Sequence, residues 1–139
     1  MSISQNAQLL IKLSSLQSRV SKRVENQLSI HGISFTEFLV MYHLADSPGD
    51  NMRRIDLAER VGLTASGITR LLLPMEKIGL VEKESNPRDA RVSLVKLTKT
   101  GRKIFGEASE SFSRGADDFA RPLSDAQSAK FTGLMEMLL

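Results

Sequence analysis

Apolar residues at Leu9, Leu13, Leu16, Val20, Val24 and Leu28 follow one another in steps of three and four, one stripe along a helix that reaches about Ser29. The stripe is narrow, so this helix packs on another helix, whether from its own chain or from a second copy. "SFTE", Ser34 to Glu37, has capping-box spacing and predicts a second helix through "FLVMYHLA", stopped by Pro48 and Gly49. "RRIDLAERVGL" predicts a short third helix with Leu57, Ala58 and Val61 facing inward, closed by Gly62 in the left-handed position. It lacks a Ser or Thr at its start, and Asn51 is the nearest capping type. Thr64 caps a fourth helix that keeps Ile68, Leu71, Leu72, Met75 and Ile78 on one face with a 3.6-residue period, until Gly79 ends it. Ser66, Thr69 and Arg70 fall on the opposite face. Pro74 removes the bond to the carbonyl of Arg70 and predicts a bend.

The period then shortens to two. "GLVEKES" and Val92 to Leu97 read as strands of a short hairpin, turned at Asn86-Pro87, whose exposed tip carries Arg88, Asp89 and Arg91. Thr98 caps a long helix through "GRKIFGEASESFSRGADDFARP", in which Gly101, Gly106 and Gly115 each cost about 1 kcal/mol relative to alanine. Pro122 ends it. "SDAQ", Ser124 to Gln127, is a second capping box, and the last helix buries Phe131, Leu134 and Leu138.

Composition narrows the function classes. With 139 residues, 41% hydrophobic, the chain has material for one core and one domain. Cysteine is absent, which excludes disulfides, thiolate nucleophiles, thiol sensing and Cys-based zinc sites. His31 and His43 do not share a ligand spacing such as His-x-x-x-His, so both read as structural and no metal is expected. No glycine loop for phosphate and no nucleophile elbow is present, so the chain does not read as an enzyme. Its longest apolar run is too short to span a bilayer and its N-terminus lacks a signal-peptide plan, which leads to the expectation of a cytoplasmic protein without membrane contact. The net charge of +3 conceals a segregation: Met52 to Lys103 carries 12 Lys+Arg against 6 Asp+Glu, and the remainder 7 against 10. A concentration of basic charge in the middle of the chain is the footprint of a polyanion partner.

Short helix, turn, second helix and basic-tipped hairpin, in that order, make a winged helix-turn-helix, a mainly α (α+β) fold with long helices at both ends. In such a fold the second helix enters the major groove of DNA. Ser66 and Thr69 are short enough to meet base edges, and Arg70 reaches guanine or a phosphate. Thr64 and the free N–H groups at the helix start suit a phosphate. Arg88 or Arg91 enters the narrower minor groove. Gly67 is costly in a helix, and permits close approach either to DNA or to the neighbouring helix.

The run "LAERVGLTASGITRLLLPMEKIGLVEKESNPRDARVSLVKLTKTG", Leu57 to Gly101, resembles the DNA-binding core of the MarR family of bacterial transcription regulators. The wing signature stands as Asp89, Arg91, Leu97, Thr98 and Gly101. The resemblance implies one winged-helix domain over residues 1–139, with a DNA-binding core at 35–101 and dimerisation helices at 1–31 and 104–139. It implies a homodimer interlocked through Leu9, Leu13, Leu16 and Val20 and through Phe131, Leu134 and Leu138. Arg91 becomes the minor-groove arginine with Asp89 its orienting partner, and Arg88, Arg53 and Arg54 become phosphate contacts. The partner is double-stranded DNA, at a pseudo-palindromic operator with half-sites about one helical turn apart. The regulator is expected to be a repressor, without a cofactor. A small-molecule effector is a further implied partner, with Phe35, Phe38, Met41 and Tyr42 as lining candidates; core or dimer packing is their alternative role. Two rival functions remain open: an effector-binding or protein-interaction module that has lost specific DNA binding, and a sequence-tolerant nucleic-acid binder.

Overall fold

A computed structural model describes residues 1–139. Six helices and three strands follow one another as α1 Gln5–Ser29, α2 Phe35–Ala45, β1 Asn51–Arg53, α3 Arg54–Val61, α4 Ala65–Lys77, β2 Val81–Asn86, β3 Asp89–Leu97, α5 Lys99–Phe119 and α6 Asp125–Glu136. The expected fold class, a winged helix-turn-helix with long terminal helices, is the one observed. Side-chain caps set most helix starts. Ser34 and Glu37 form a reciprocal capping box on α2, as do Ser124 and Gln127 on α6. Thr64 and Thr98 accept the N–H groups of Gly67 and Gly101 at the starts of α4 and α5. Gly62 closes α3 with φ 75°, a left-handed conformation that glycine adopts without strain.

The three strands form one antiparallel sheet in the order β1-β3-β2, with Met52 opposite Val95 and Val81 opposite Leu97. Strand β1 is absent from the sequence reading, and its presence corrects the assignment of Asn51. That residue pairs with Lys96 and donates from Nδ2 to Glu84 Oε1 at 3.2 Å; the N-cap of α3 is Arg53, which makes no side-chain cap bond.

Leu28, Phe38, Val40, Met41, Leu44, Leu57, Ile68, Leu72, Met75 and Val95 build a single core where α2, α3, α4 and the sheet meet α1 and α5. Phe38 stands between Phe105 and Phe112, with ring centroids 5.2 and 4.7 Å away, and fastens α2 to α5. Phe38 and Met41 are therefore core residues, Phe35 stacks on Phe112, and Tyr42 is exposed beside His43. None of the four lines the apolar cavities described below. Apolar space lies instead between α1 and α5, about 240 Å³ among Val20, Val24, Phe112 and Phe119, with Arg23 and Gln27 at its edge.

Two further expectations are corrected. Ile78 is exposed, because it lies one residue past the last turn of α4, where the helical period no longer applies. Pro74 lies inside α4, which continues past it to Lys77. Helix α6 buries nothing within the chain: Phe131, Leu134 and Leu138 stay 38%, 55% and 68% exposed. With half-exposed Leu9 and partly covered Leu13 they border an open apolar trough of about 390 Å³, and Leu16, Val20 and Phe131 line a second beside it. No helix is long and apolar enough to cross a membrane.

The glycines of α5 divide into two kinds. At Gly101 a Cβ would run into the Leu80 carbonyl, and at Gly115 it would stand 2.8 Å from the Gln27 side chain, so both permit close packing. Gly106 is exposed with nothing near. Gly101→Ala is accordingly expected to lower stability by about 2–3 kcal/mol, since backbone must move to admit the methyl. Gly106→Ala is expected to raise it by about 0.5–1 kcal/mol. Urea unfolding of the two variants checks the contrast.

Candidate nucleic-acid interface

The leading turn of α4 is built around its cap. Thr64 Oγ1 accepts the Gly67 N–H at 3.0 Å and lies 3.3 Å from Ser66 Oγ, while Thr64, Ala65, Ser66 and Arg70 are all exposed. Gly67 is explained locally: a Cβ there would sit 3.1 Å from Thr64 Oγ1 and 3.6 Å from Leu63 Cβ, so the missing side chain lets the turn close on itself. Arg70 is exposed and forms no ion pair.

Arg54 has a different role. Its Nη1 donates to Thr69 Oγ1 at 3.2 Å and its Nη2 lies 3.6 Å from Glu76 Oε1, with both charged side chains less than one quarter exposed. This guanidinium bridges the first turn of α3 to the middle and the end of α4, and so fixes the angle between the two helices. Thr69 in turn donates its hydroxyl hydrogen to Ala65 O at 3.0 Å. Arg53 pairs with Asp56, at 2.9 Å from Nε, on the first turn of α3. The hydrogen bond and charge of that carboxylate raise the arginine's pKa, and the arginine's hydrogen bond draws the Asp56 pKa below its ordinary value.

The hairpin tip is shaped by two short side chains. Asn86 Oδ1 accepts the Arg88 N–H at 2.9 Å, an Asx turn beside the Ser85/Asn86 irregularity in strand register. Asp89 Oδ1 accepts both the backbone N–H of Arg91 at 3.0 Å and its Nε at 3.2 Å. The Arg91 side chain is 92% exposed. Its direction is set although nothing covers it. Arg88 is exposed and unpaired. Behind the wing, Arg102 on α5 pairs with Asp50, whose backbone has φ 56°, and that hydrogen bond lowers the Asp50 pKa.

Of the candidates, the structure brings together Thr64 with Ser66, Arg54 with Thr69, and Asp89 with Arg91. Arg70 and Arg88 remain free tips. Asp89 is the partner that the family resemblance names for Arg91; sequence reading misses the other intramolecular partners. The three-residue spacing of Arg53 and Asp56 on a helix is the available signal for one, and Asn-x-Arg in a turn for another. Glu76, 22 residues from Arg54, has no sequence signal. The histidines sit apart from these groups. His31 Nε2 lies 2.7 Å from Ser111 Oγ, and His43 is lowered in pKa by burial and then by the Arg60 charge, with Asp46 opposing.

The profile described as MarR family matches residues 31–92. The transcriptional regulator HosA of Escherichia coli O111:H- is 30% identical over 103 residues, 74% of this chain and 75% of that protein. The HTH-type transcriptional regulator YdgJ of Bacillus subtilis (strain 168) is 27% identical over 99 residues; the match takes in 71% of this chain but only 57% of YdgJ. Among solved structures, Sco3205, a MarR family transcriptional regulator from Streptomyces coelicolor crystallised in complex with DNA, superposes with a TM-score of 0.86 at 21% identity, over 99% of this chain and 91% of that one.

The two arginines near α4 are expected to behave oppositely in unfolding. Arg54→Ala leaves Glu76 without its partner and should lower stability by about 1–2 kcal/mol. Arg70→Ala should stay within about 0.5 kcal/mol of the unmodified protein. Denaturant midpoints for the two variants measure this, and equal losses would remove the distinction between brace and free tip.

Proposed function

The chain belongs to the MarR family of transcriptional regulators, and from that premise we propose that it acts as a homodimeric repressor, binding a pseudo-palindromic operator in double-stranded DNA and releasing it in response to a small ligand. The observation that carries the DNA-binding reading is the wing tip, where Asp89 holds a guanidinium outward in open solvent. A stability contact so exposed contributes little, whereas a positioned cation beside a groove of high negative potential contributes to binding. Ser66 and Arg70 on the leading half of α4 serve the major groove, Thr64 the phosphate at the helix start, and Arg88 the backbone beside the wing. Arg53 keeps an exposed guanidinium for a phosphate although it is paired with Asp56. Arg54 and Thr69 act differently, because their polar atoms already engage each other.

The homodimer reading rests on the unpartnered face of α1 and α6. Leu9, Leu134 and Leu138 form an apolar surface too large to leave to water, and a second copy with residues 1–31 and 104–139 as dimerisation helices covers it. The DNA-binding core then occupies 35–101. Ligand response is supported by the space between α1 and α5, a ring-sized apolar cavity with Arg23 and Gln27 at its edge. A ligand there weakens DNA binding to the extent that it prefers a half-site spacing that DNA does not.

The experiment is a comparison of affinity for the gene's own upstream DNA with that for scrambled duplex at one salt concentration. A clear preference supports the specific regulator, a ratio near one leaves a sequence-tolerant binder, and no binding at low salt leaves an interaction module. Arg91→Ala is expected to weaken operator binding by about 1–3 kcal/mol without changing the dimer mass in solution; unaltered affinity would remove the wing from the interface.

A further inference from the structure

We infer that Thr69 contributes to specificity through its methyl group, by packing on the 5-methyl of a thymine, and that Arg54 is the positioning residue that commits it to this role. The inference rests on the DNA-binding reading above and names what one position of α4 selects.

A threonine hydroxyl has one hydrogen to give and two lone pairs. The hydrogen of Thr69 goes to Ala65 O at 3.0 Å, and one lone pair takes the hydrogen of Arg54 Nη1 at 3.2 Å. In this arrangement no hydrogen is left for a purine N7 or for O6 or O4 of a base. The remaining lone pair sits on an oxygen already beside a guanidinium, a poor place for the amino group of adenine or cytosine. A back-bond to the fourth preceding carbonyl is common for threonine in helices and is easily given up. The bond from Arg54 is not, because Arg54 is mostly covered, starts on a different helix and is held at its other nitrogen by Glu76. Moving Oγ1 itself toward a base, by rotation about χ1, would leave Arg54 Nη1 without its acceptor, so the oxygen stays where Arg54 holds it.

What Thr69 still offers is a methyl, on a partly covered residue. Ala65, four residues earlier and on the same helix stripe, is exposed and offers only a methyl as well. The adjoining stripe, Ser66 and Arg70, keeps its polar groups available. The leading half of α4 is thus divided into a methyl row and a hydrogen-bonding row. The 5-methyl of thymine is the one apolar group among the unmodified base edges of the major groove, and it is the partner such a row selects.

The test uses a duplex enriched from a random-sequence library by the full-length protein, in which each thymine is replaced singly by deoxyuridine. That change deletes the 5-methyl and leaves every hydrogen-bonding group in place. At one position per half-site, binding should weaken about fourfold, which is roughly 0.8 kcal/mol and the value of one buried methyl-sized group. Replacement in both half-sites should weaken it about fifteenfold. Thr69→Ser, which keeps the hydroxyl and loses the methyl, should bring the thymine-to-deoxyuridine ratio at that position close to one. Thr69→Val, which keeps the methyl and loses the hydroxyl, should retain the ratio. Because each ratio is taken within one variant, a general loss of affinity or stability cancels. The inference is overturned if every thymine tolerates replacement, if Thr69→Ser preserves the ratio, or if Thr69→Val abolishes it. Failure to enrich any duplex would overturn the DNA-binding reading along with it. An enriched duplex with no thymine that depends on residue 69 would overturn this inference alone.

Discussion

The contact on which the arrangement depends is the convergence of α4, β2, β3 and α5 on the carbonyl of Leu80. Thr98 donates its backbone N–H to this oxygen at 3.1 Å, and its hydroxyl, whose one hydrogen is shared between Gly79 O and Leu80 O, accepts the Gly101 N–H at 2.9 Å. One short side chain therefore caps α5, closes the turn after α4 and fixes the base of the wing. Gly101 makes this geometry accessible, because a methyl at that position would occupy the space of the Leu80 carbonyl. Gly79, with φ 80°, supplies the sharp reversal that feeds α4 into β2. The wing is consequently an extension of the joint between α4 and α5, and its base cannot shift without disturbing both helices. At its other end α5 again packs closely, Gly115 against Gln27 of α1.

Much of this arrangement is legible in the amino-acid sequence. Capping boxes at Ser34 and Ser124, the caps at Thr64 and Thr98, and the left-handed Gly62 are local chemical devices whose partners lie within four residues, so sequence spacing determines them. The stripes of α1 and α4 are equally readable, because a helical period states which face is apolar. It does not state what covers that face, which is why Phe131, Leu134 and Leu138 read as buried and are open within one chain. Strand β1 is hidden for a related reason. Three residues are too few to display alternation, and Asn51–Arg53 is a strand only because Leu94–Lys96 lies beside it. Asn51 then resembles a cap, although its amide is spent on Glu84.

Charge is the least legible property of the site. Composition shows the basic excess of the central segment, and neither composition nor spacing shows which cations are already neutralised. Arg53 and Arg54 are adjacent and identical in the sequence. One lies on the surface with a neighbour on its own helix turn, and the other is drawn under α4 by a glutamate 22 residues away. An exposed pair of the first kind is weakened by salt and yields readily to a phosphate. A mostly covered pair of the second kind is costly to break from one side. The same residue type therefore separates into a surface cation and a structural brace by burial alone.

The wing tip occupies a third position between these extremes, and its geometry resolves an apparent conflict. On the DNA-binding function proposed above, ordering a long side chain costs about 0.5–1.5 kcal/mol, which Arg70 and Arg88 would meet in full, whereas Arg91 is already directed by Asp89. A carboxylate beside a cation destined for a polyanion would ordinarily oppose binding, since the arginine's departure leaves a bare negative charge. Asp89 Oδ1 also accepts the backbone N–H of Arg91 at 3.0 Å, and that bond stays when the guanidinium swings away. The carboxylate retains a hydrogen-bond partner in either state. Pre-orientation of Arg91 is thus obtained without stranding Asp89, and the requirement for an acid two residues before the arginine follows from the reach of one short side chain to one backbone N–H.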